Sequence, residues 1–102
     1  MRATVTGPIR LIRSIRGEGT LLWAASSSQT VSYAIDLYRQ GQLLSGNGDV
    51  RGSLASLVGR NPPNVRLRLA DDLEVGIALT DIEADRAMFD LLEAPTSLAS
   101  RP

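Results

Sequence analysis

The sequence contains no cysteine, no histidine and no lysine. Without cysteine there is no disulfide, zinc–thiolate site, iron–sulfur cluster or thiol nucleophile. Without histidine the commonest general base and the commonest transition-metal ligand are gone. A Ser-His-Asp or Cys-His apparatus therefore cannot be assembled within one chain. Without lysine, Schiff-base chemistry, Ser-Lys dyads and the P-loop lysine are excluded. Long apolar runs are missing too. The longest is Leu21-Leu22-Trp23-Ala24-Ala25, whereas a membrane-spanning helix needs about 20 residues. The first sixteen residues carry Arg2, Arg10, Arg13 and Arg16 and no acid. That bias is the composition of an organelle transit peptide, but no apolar signal-peptide stretch accompanies it. A cytoplasmic chain with no membrane partner is expected.

What is present fits one small domain of 102 residues, with an apolar fraction of 43%, near the globular average. Eleven arginines balance eleven acids, but not evenly along the chain. Residues 1–68 hold nine Arg and three acids, a net of +6, and residues 69–102 hold two Arg and eight acids, a net of −6. The two halves attract each other, within one chain or between two copies. Within one chain this sets basic and acidic strands side by side, each cross-strand pair contributing about 0.2–1 kcal/mol.

The hydrophobic pattern has the period of two that marks half-buried strands. Val31, Tyr33, Ile35 and Leu37 alternate with polar or small residues. Arg39-Gln40-Gly41-Gln42 supplies a turn. The stretch from Leu43 to Leu54 then places Leu44, Gly46, Gly48, Val50, Gly52 and Leu54 on one face. It reads as a long strand returning along 30–38, its glycines marking a bend; a hairpin turning at Asn47-Gly48 is the rival. Ser53 to Gly59 has the spacing and closing glycine of one or two helical turns, stopped by Pro62 and Pro63. The last third reads as a meander: Val65/Leu67/Leu69, a two-residue turn at Asp71-Asp72, Leu73/Val75/Ile77/Leu79, then Ala87/Phe89/Leu91. In the first third Ile9, Ile12 and Ile15 recur every three residues, which fits a short basic helix. The Gly17-Glu18-Gly19 turn favours a hairpin from 9–16 into 20–25 instead, with a loop at Ser26-Ser27-Ser28. The fold class is mainly β: a small antiparallel β-barrel or roll, SH3-like or OB-like, with one short helix between strands. The barrel domain covers residues 1–93, and 94–102 form a polar C-terminal tail.

No motif carries an enzyme or a cofactor. Gly46-x-Gly48-x-x-x-Gly52 misses the dinucleotide fingerprint by one residue. Asp81-x-Glu83-x-Asp85 begins like a calcium loop, but Arg86 and Leu92 stand where glycine and glutamate belong. Asp36 and Asp90 are the only acids inside apolar strands, and the alternation turns both outward. A non-enzymatic binding protein is therefore expected, with no metal and no cofactor. Its candidate interface residues are Trp23, Tyr38, Leu43, Met88 and Leu92, all read as outward-facing. The expected partner is a second copy, as a homodimer, with another protein or a small molecule next. The alternative is an anion or single-stranded nucleic-acid binder using Arg51, Arg66 and Arg68. Nucleic acid is disfavoured because four aromatics and a pI near 6.2 offer few stacking platforms and little net charge.

Overall fold

The computed structural model describes residues 7–24, 27–60 and 62–99. Six strands, β1 (Arg10–Ala24), β2 (Ser27–Gln40), β3 (Leu43–Arg51), β4 (Arg66–Arg68), β5 (Glu74–Ile82) and β6 (Arg86–Leu91), close into a barrel. The order around it is β1-β2-β3-β6-β5-β4, every neighbouring pair antiparallel. Strands β1 to β3 form one meander and β4 to β6 another. The chain crosses between them so that β4 lies beside β1, a Greek-key return. The barrel has one strand more than the five-stranded OB arrangement.

The inner face is the alternating set. Val31, Tyr33, Ile35 and Leu37 of β2, Val50 of β3, Leu67 of β4, Val75 and Ile77 of β5 and Ala87 and Phe89 of β6 are all buried. Fully burying one such leucine, valine or phenylalanine contributes about 1.5–3 kcal/mol. Two short helical turns outside the strands add to the core. Beyond β3, Gly52 and Leu54 donate backbone hydrogen bonds to the carbonyls of Asp85 and Ala84. The 3-10 turn Ala55–Leu57 follows, and Leu54 and Leu57 are fully buried. After β6, the helical turn α1 (Thr96–Ala99) buries Leu98 completely as part of the core. The segment read as a tail therefore contributes a core residue; residues 100–102 lie outside the described ones.

The β2–β3 hairpin runs in the long register, with Gln40 opposite Leu43 and Gly41 at φ 61° in the turn. Asn47 and Gly48 lie in mid-strand, opposite Asp36 and Ile35. The helix expected over 53–59 is shortened to the single 3-10 turn. The β4–β5 loop has three residues rather than two: Asp72 N–H donates to the Leu69 carbonyl, Leu69 N–H to the Leu73 carbonyl, and Asp72 sits at φ 73°. That is a type I turn followed by a left-handed residue.

The N-terminal hairpin is overturned. Residues 10–24 are one continuous strand that passes through Gly17-Glu18-Gly19 without turning. The glycines serve space rather than a turn. Both face inward, opposite Tyr33 and Val31. A Cβ on Gly17 would lie 2.6 Å from the Tyr33 hydroxyl, and one on Gly19 would overlap the Arg68 carbonyl oxygen. The Tyr33 ring fills the room they leave, and its hydroxyl accepts a hydrogen bond from the Ala70 N–H at 3.1 Å. The expected serine loop is corrected likewise: Ser27 and Ser28 belong to β2, paired with Ala24 and Leu22, while Ser26 lies outside the described residues. The isoleucine period of three has its own cause. The β1–β2 ladder slips between Leu11 and Arg13, so Ile12 is an extra residue that resets the alternation.

Glycine placement gives a direct test. Gly19→Ala and Gly48→Ala each drive a Cβ into backbone oxygen, of Arg68 and Ala34 respectively. Each should destabilise by about 1–3 kcal/mol or more. Gly76→Ala meets only Leu92 atoms at 3.6 and 3.8 Å. It should be neutral or stabilise by about 0.4–1 kcal/mol through the unfolded chain. Urea denaturation of the three variants checks the assignment; equal losses would refute the inner-face register.

Candidate functional site

The long strand β1 pairs with β2 along nearly its whole length, but with β4 only at Thr20, Leu21 and Leu22. From Arg10 to Gly19 its second edge has no ladder partner among the described residues. The β1–β2–β3 ribbon thus ends, near Gly41, in an unpaired strand edge, the kind of template on which another chain adds a strand.

The two faces of this ribbon end are inverted relative to the barrel. On the outer face Leu11 is the cross-strand partner of Tyr38, Tyr38 is opposite Ser45, and Leu43 lies one diagonal further. Ile9, Leu11 and Leu43 are 64%, 57% and 56% exposed. On the inner face Arg10 is directly opposite Arg39, and Arg13 is opposite Leu37. The bulge at Ile12 produces this inversion. One extra residue turns Leu11 out and carries Arg10 to the same side as Arg13. Sequence reasoning missed Ile9, Leu11 and Ile12 as surface residues because it ran them into a hairpin. The signal was there: adjacent Leu11-Ile12 and an i, i+3 isoleucine spacing are incompatible with strict alternation.

The five expected interface residues do not form one surface. Tyr38 and Leu43 meet at the ribbon end just described. Trp23, at the second slip of the β1–β2 ladder, is half-buried against the core. Met88 lies on the outer face of β6, opposite Asp49 and Asp81, and its sulfur accepts from Arg86 Nη2 at 3.1 Å. Leu92, one step past β6, is exposed and stands over Gly76.

The three arginines proposed for anion binding all have carboxylate partners. Arg66 Nε donates to one oxygen of Glu74 at 3.0 Å, and Arg68 Nε and Nη2 donate to the other at 3.1 and 2.9 Å. Arg51 Nε donates to Asp49 Oδ2 at 3.3 Å, and Arg86 Nε lies 3.5 Å from the same oxygen. The Arg66 and Arg68 pairs with Glu74 are the expected meeting of the basic and acidic halves, whereas Asp49 and Arg51 both belong to the basic half. These pairings leave a different set without an ion pair among the described residues: Arg10, Arg13, Arg16, Arg39 and Arg60. Arg13 Nε is buried and has no hydrogen-bond partner.

The carboxylates are distributed over the outside. Asp36 accepts from the Ser14 hydroxyl at 2.7 Å. Asp36 and Asp90 flank Asn47 on neighbouring strands rather than forming a hydrogen-bonded pair. Asp81, Glu83 and Asp85 surround the β5–β6 turn, closed by the Glu83 N–H donating to the Arg86 carbonyl at 2.7 Å. Comparison with protein-family models, curated proteins and solved structures finds no match, so the functional reading rests on these side chains.

Glu74 is the carboxylate whose titration the geometry moves. Hydrogen bonds from Arg68 and then Arg66 hold its pKa below the ordinary value of 4.5. A depressed folded-state value contributes stability that is present above the unfolded value and lost as pH falls through the folded one. Glu74→Gln should therefore be less stable than the parent at pH 7, with the gap closing below about pH 4, where unfolded glutamate protonates. Urea midpoints at pH 7, 5 and 3 measure this; a gap that stays constant with pH would assign the loss to packing instead.

Proposed function

We propose that this protein works by binding rather than by chemistry, and that it self-associates as a homodimer through the outer face of the ribbon end. The observation that carries the reading is the exposed cluster of Ile9, Leu11 and Leu43 beside Tyr38, next to the unpaired edge of β1. Apolar groups of this size grouped on a small domain favour a second buried surface. An unpaired edge is a liability that association relieves. A two-fold contact uses the same patch on both subunits, so one cluster suffices. The side-chain chemistry supports the same reading: the chain has no cysteine, histidine or lysine, and Asp36 and Asp90 stand on the outer face without a hydrogen bond between them. The proposed location is the cytoplasm.

In this reading Leu11→Asp and Leu43→Asp, both at exposed positions, leave the fold intact and lower the dimer affinity. Losing one well-buried leucine contact, worth about 1.5–3 kcal/mol, weakens dimerisation by roughly tenfold to a hundredfold. Size-exclusion with light scattering across a concentration series reads this directly, and circular dichroism checks the fold. A wild-type chain that stays monomeric up to millimolar concentration overturns the homodimer.

A further inference from the structure

We propose that the inner face of the ribbon end is an anion-binding site, built by Arg10 and Arg39, for the phosphate groups of a small molecule. This goes beyond the self-association reading and uses the opposite face of the same strands.

Three observations converge. First, Arg10 and Arg39 are direct cross-strand partners. Like charges directly opposite repel, their Cβ atoms being about 4.5–5.5 Å apart. Here no carboxylate among the described residues lies within ion-pair reach of either. Four other arginines are matched: Arg66 and Arg68 share Glu74, while Arg51 and Arg86 share Asp49. Among the unmatched arginines of the described residues, Arg10 and Arg39 are the two that face each other across the ladder. Second, Arg13 follows on the same inner side past the bulge, with its Nε buried and without a hydrogen-bond partner. Arg13 does not line the hollow, but its guanidinium adds positive charge on the same side of the ribbon. Third, the space exists. A hollow of about 330 Å³ is lined by Gly7, Pro8, Arg10, Ile12, Arg39 and Gly41. One wall is fixed by the Gln40 side-chain amide donating to the Gly7 carbonyl at 3.1 Å.

The chemistry narrows the ligand. Guanidinium forks match the planar and tetrahedral oxyanions, and several of them around one hollow favour a multiply charged group. The volume falls at the lower end of small-molecule sites. Tyr38, the nearest aromatic on these strands, faces outward beside Leu11, so no ring faces the hollow from β1 or β2 to stack a base. A single strand of nucleic acid needs such platforms. A compact phosphorylated molecule, with its phosphates on Arg10 and Arg39, fits the arrangement better.

The test uses inorganic pyrophosphate as probe, with the full chain, at ionic strength held constant by sodium chloride. Thermal shift and calorimetric titration should show saturable binding. Arg10→Gln and Arg39→Gln should each weaken it by about tenfold to a hundredfold, the usual loss for a hydrogen bond to a charged group. Arg60→Gln, at the opposite end, should leave it unchanged. Without pyrophosphate, Arg10→Gln and Arg39→Gln should be as stable as the parent or more so, because the repulsion is relieved. The Leu11→Asp variant should still bind, which separates this site from dimerisation. No shift beyond that of matched chloride, or an equal response in the arginine variants, overturns the proposal. So does a loss of stability in both variants without the anion, which would make the arginines structural. Tighter binding of an oligothymidylate through the same arginines would replace the small-molecule ligand with nucleic acid.

Discussion

Closure of this barrel depends on a match of volume between two aromatic rings and the glycines facing them. Tyr33 lies against Gly17 and Gly19 of β1, and Phe89 against Gly48 of β3. A six-stranded barrel has a narrow interior, and side chains on all of its inner positions would not fit. Placing glycine on one strand opposite a ring on the next lets the strands approach while the interior stays filled. The Tyr33 hydroxyl then reaches the Ala70 N–H and ties β2 to the β4–β5 hairpin across the seam where β4 pairs only briefly. The buried inner positions that remain are aliphatic.

The same frame decides the electrostatics. Barrel closure brings β4 beside β5 and β3 beside β6. The basic arginines of β4 thereby meet Glu74, and Asp49 meets both Arg51 and Arg86. Exposed pairs of this kind are worth little singly, but they consume the local charge. The basic surplus is left on β1 and the end of β2. Because β1 runs on past its contact with β4, that surplus sits on a ribbon with a free edge. The bulge at Ile12 sorts its end, carrying Arg10 to the inner side with Arg13 and Arg39 and turning Leu11 to the outer. Two surfaces of opposite character thus arise from one extra residue in one strand.

Much of the fold was legible. The alternation in 31–37, 65–69, 73–79 and 87–91 marks the strands and their buried faces, because a pleated strand with one wet side writes its burial as a period of two. The long β2–β3 register followed from glycines and apolar residues sharing one face. The first third was misread because Gly17-Glu18-Gly19 is locally a good turn; only the Tyr33 ring, fourteen residues or more away in sequence, explains why it stays extended. The site was less legible than the fold. Arg66 and Arg68 looked like a free cationic row because Glu74 is separated from them by a loop, and the unmatched arginines looked like part of a hairpin.

The sequence by itself determined the chemistry available, through the absence of cysteine, histidine and lysine, and the antiparallel β character, through its periodicity. Both are local properties, fixed by residue type and by the geometry of a single strand. The tertiary structure alone decided which charges are neutralised, which strand edge stays open and which side of β1 each residue occupies. Those depend on who lies beside whom, and a one-residue slip at Ile12 is enough to exchange the faces. The absent lysine and histidine leave arginine as the chain's side-chain cation, and it is the fold that sorts arginines held by carboxylates from those with no carboxylate partner among the described residues.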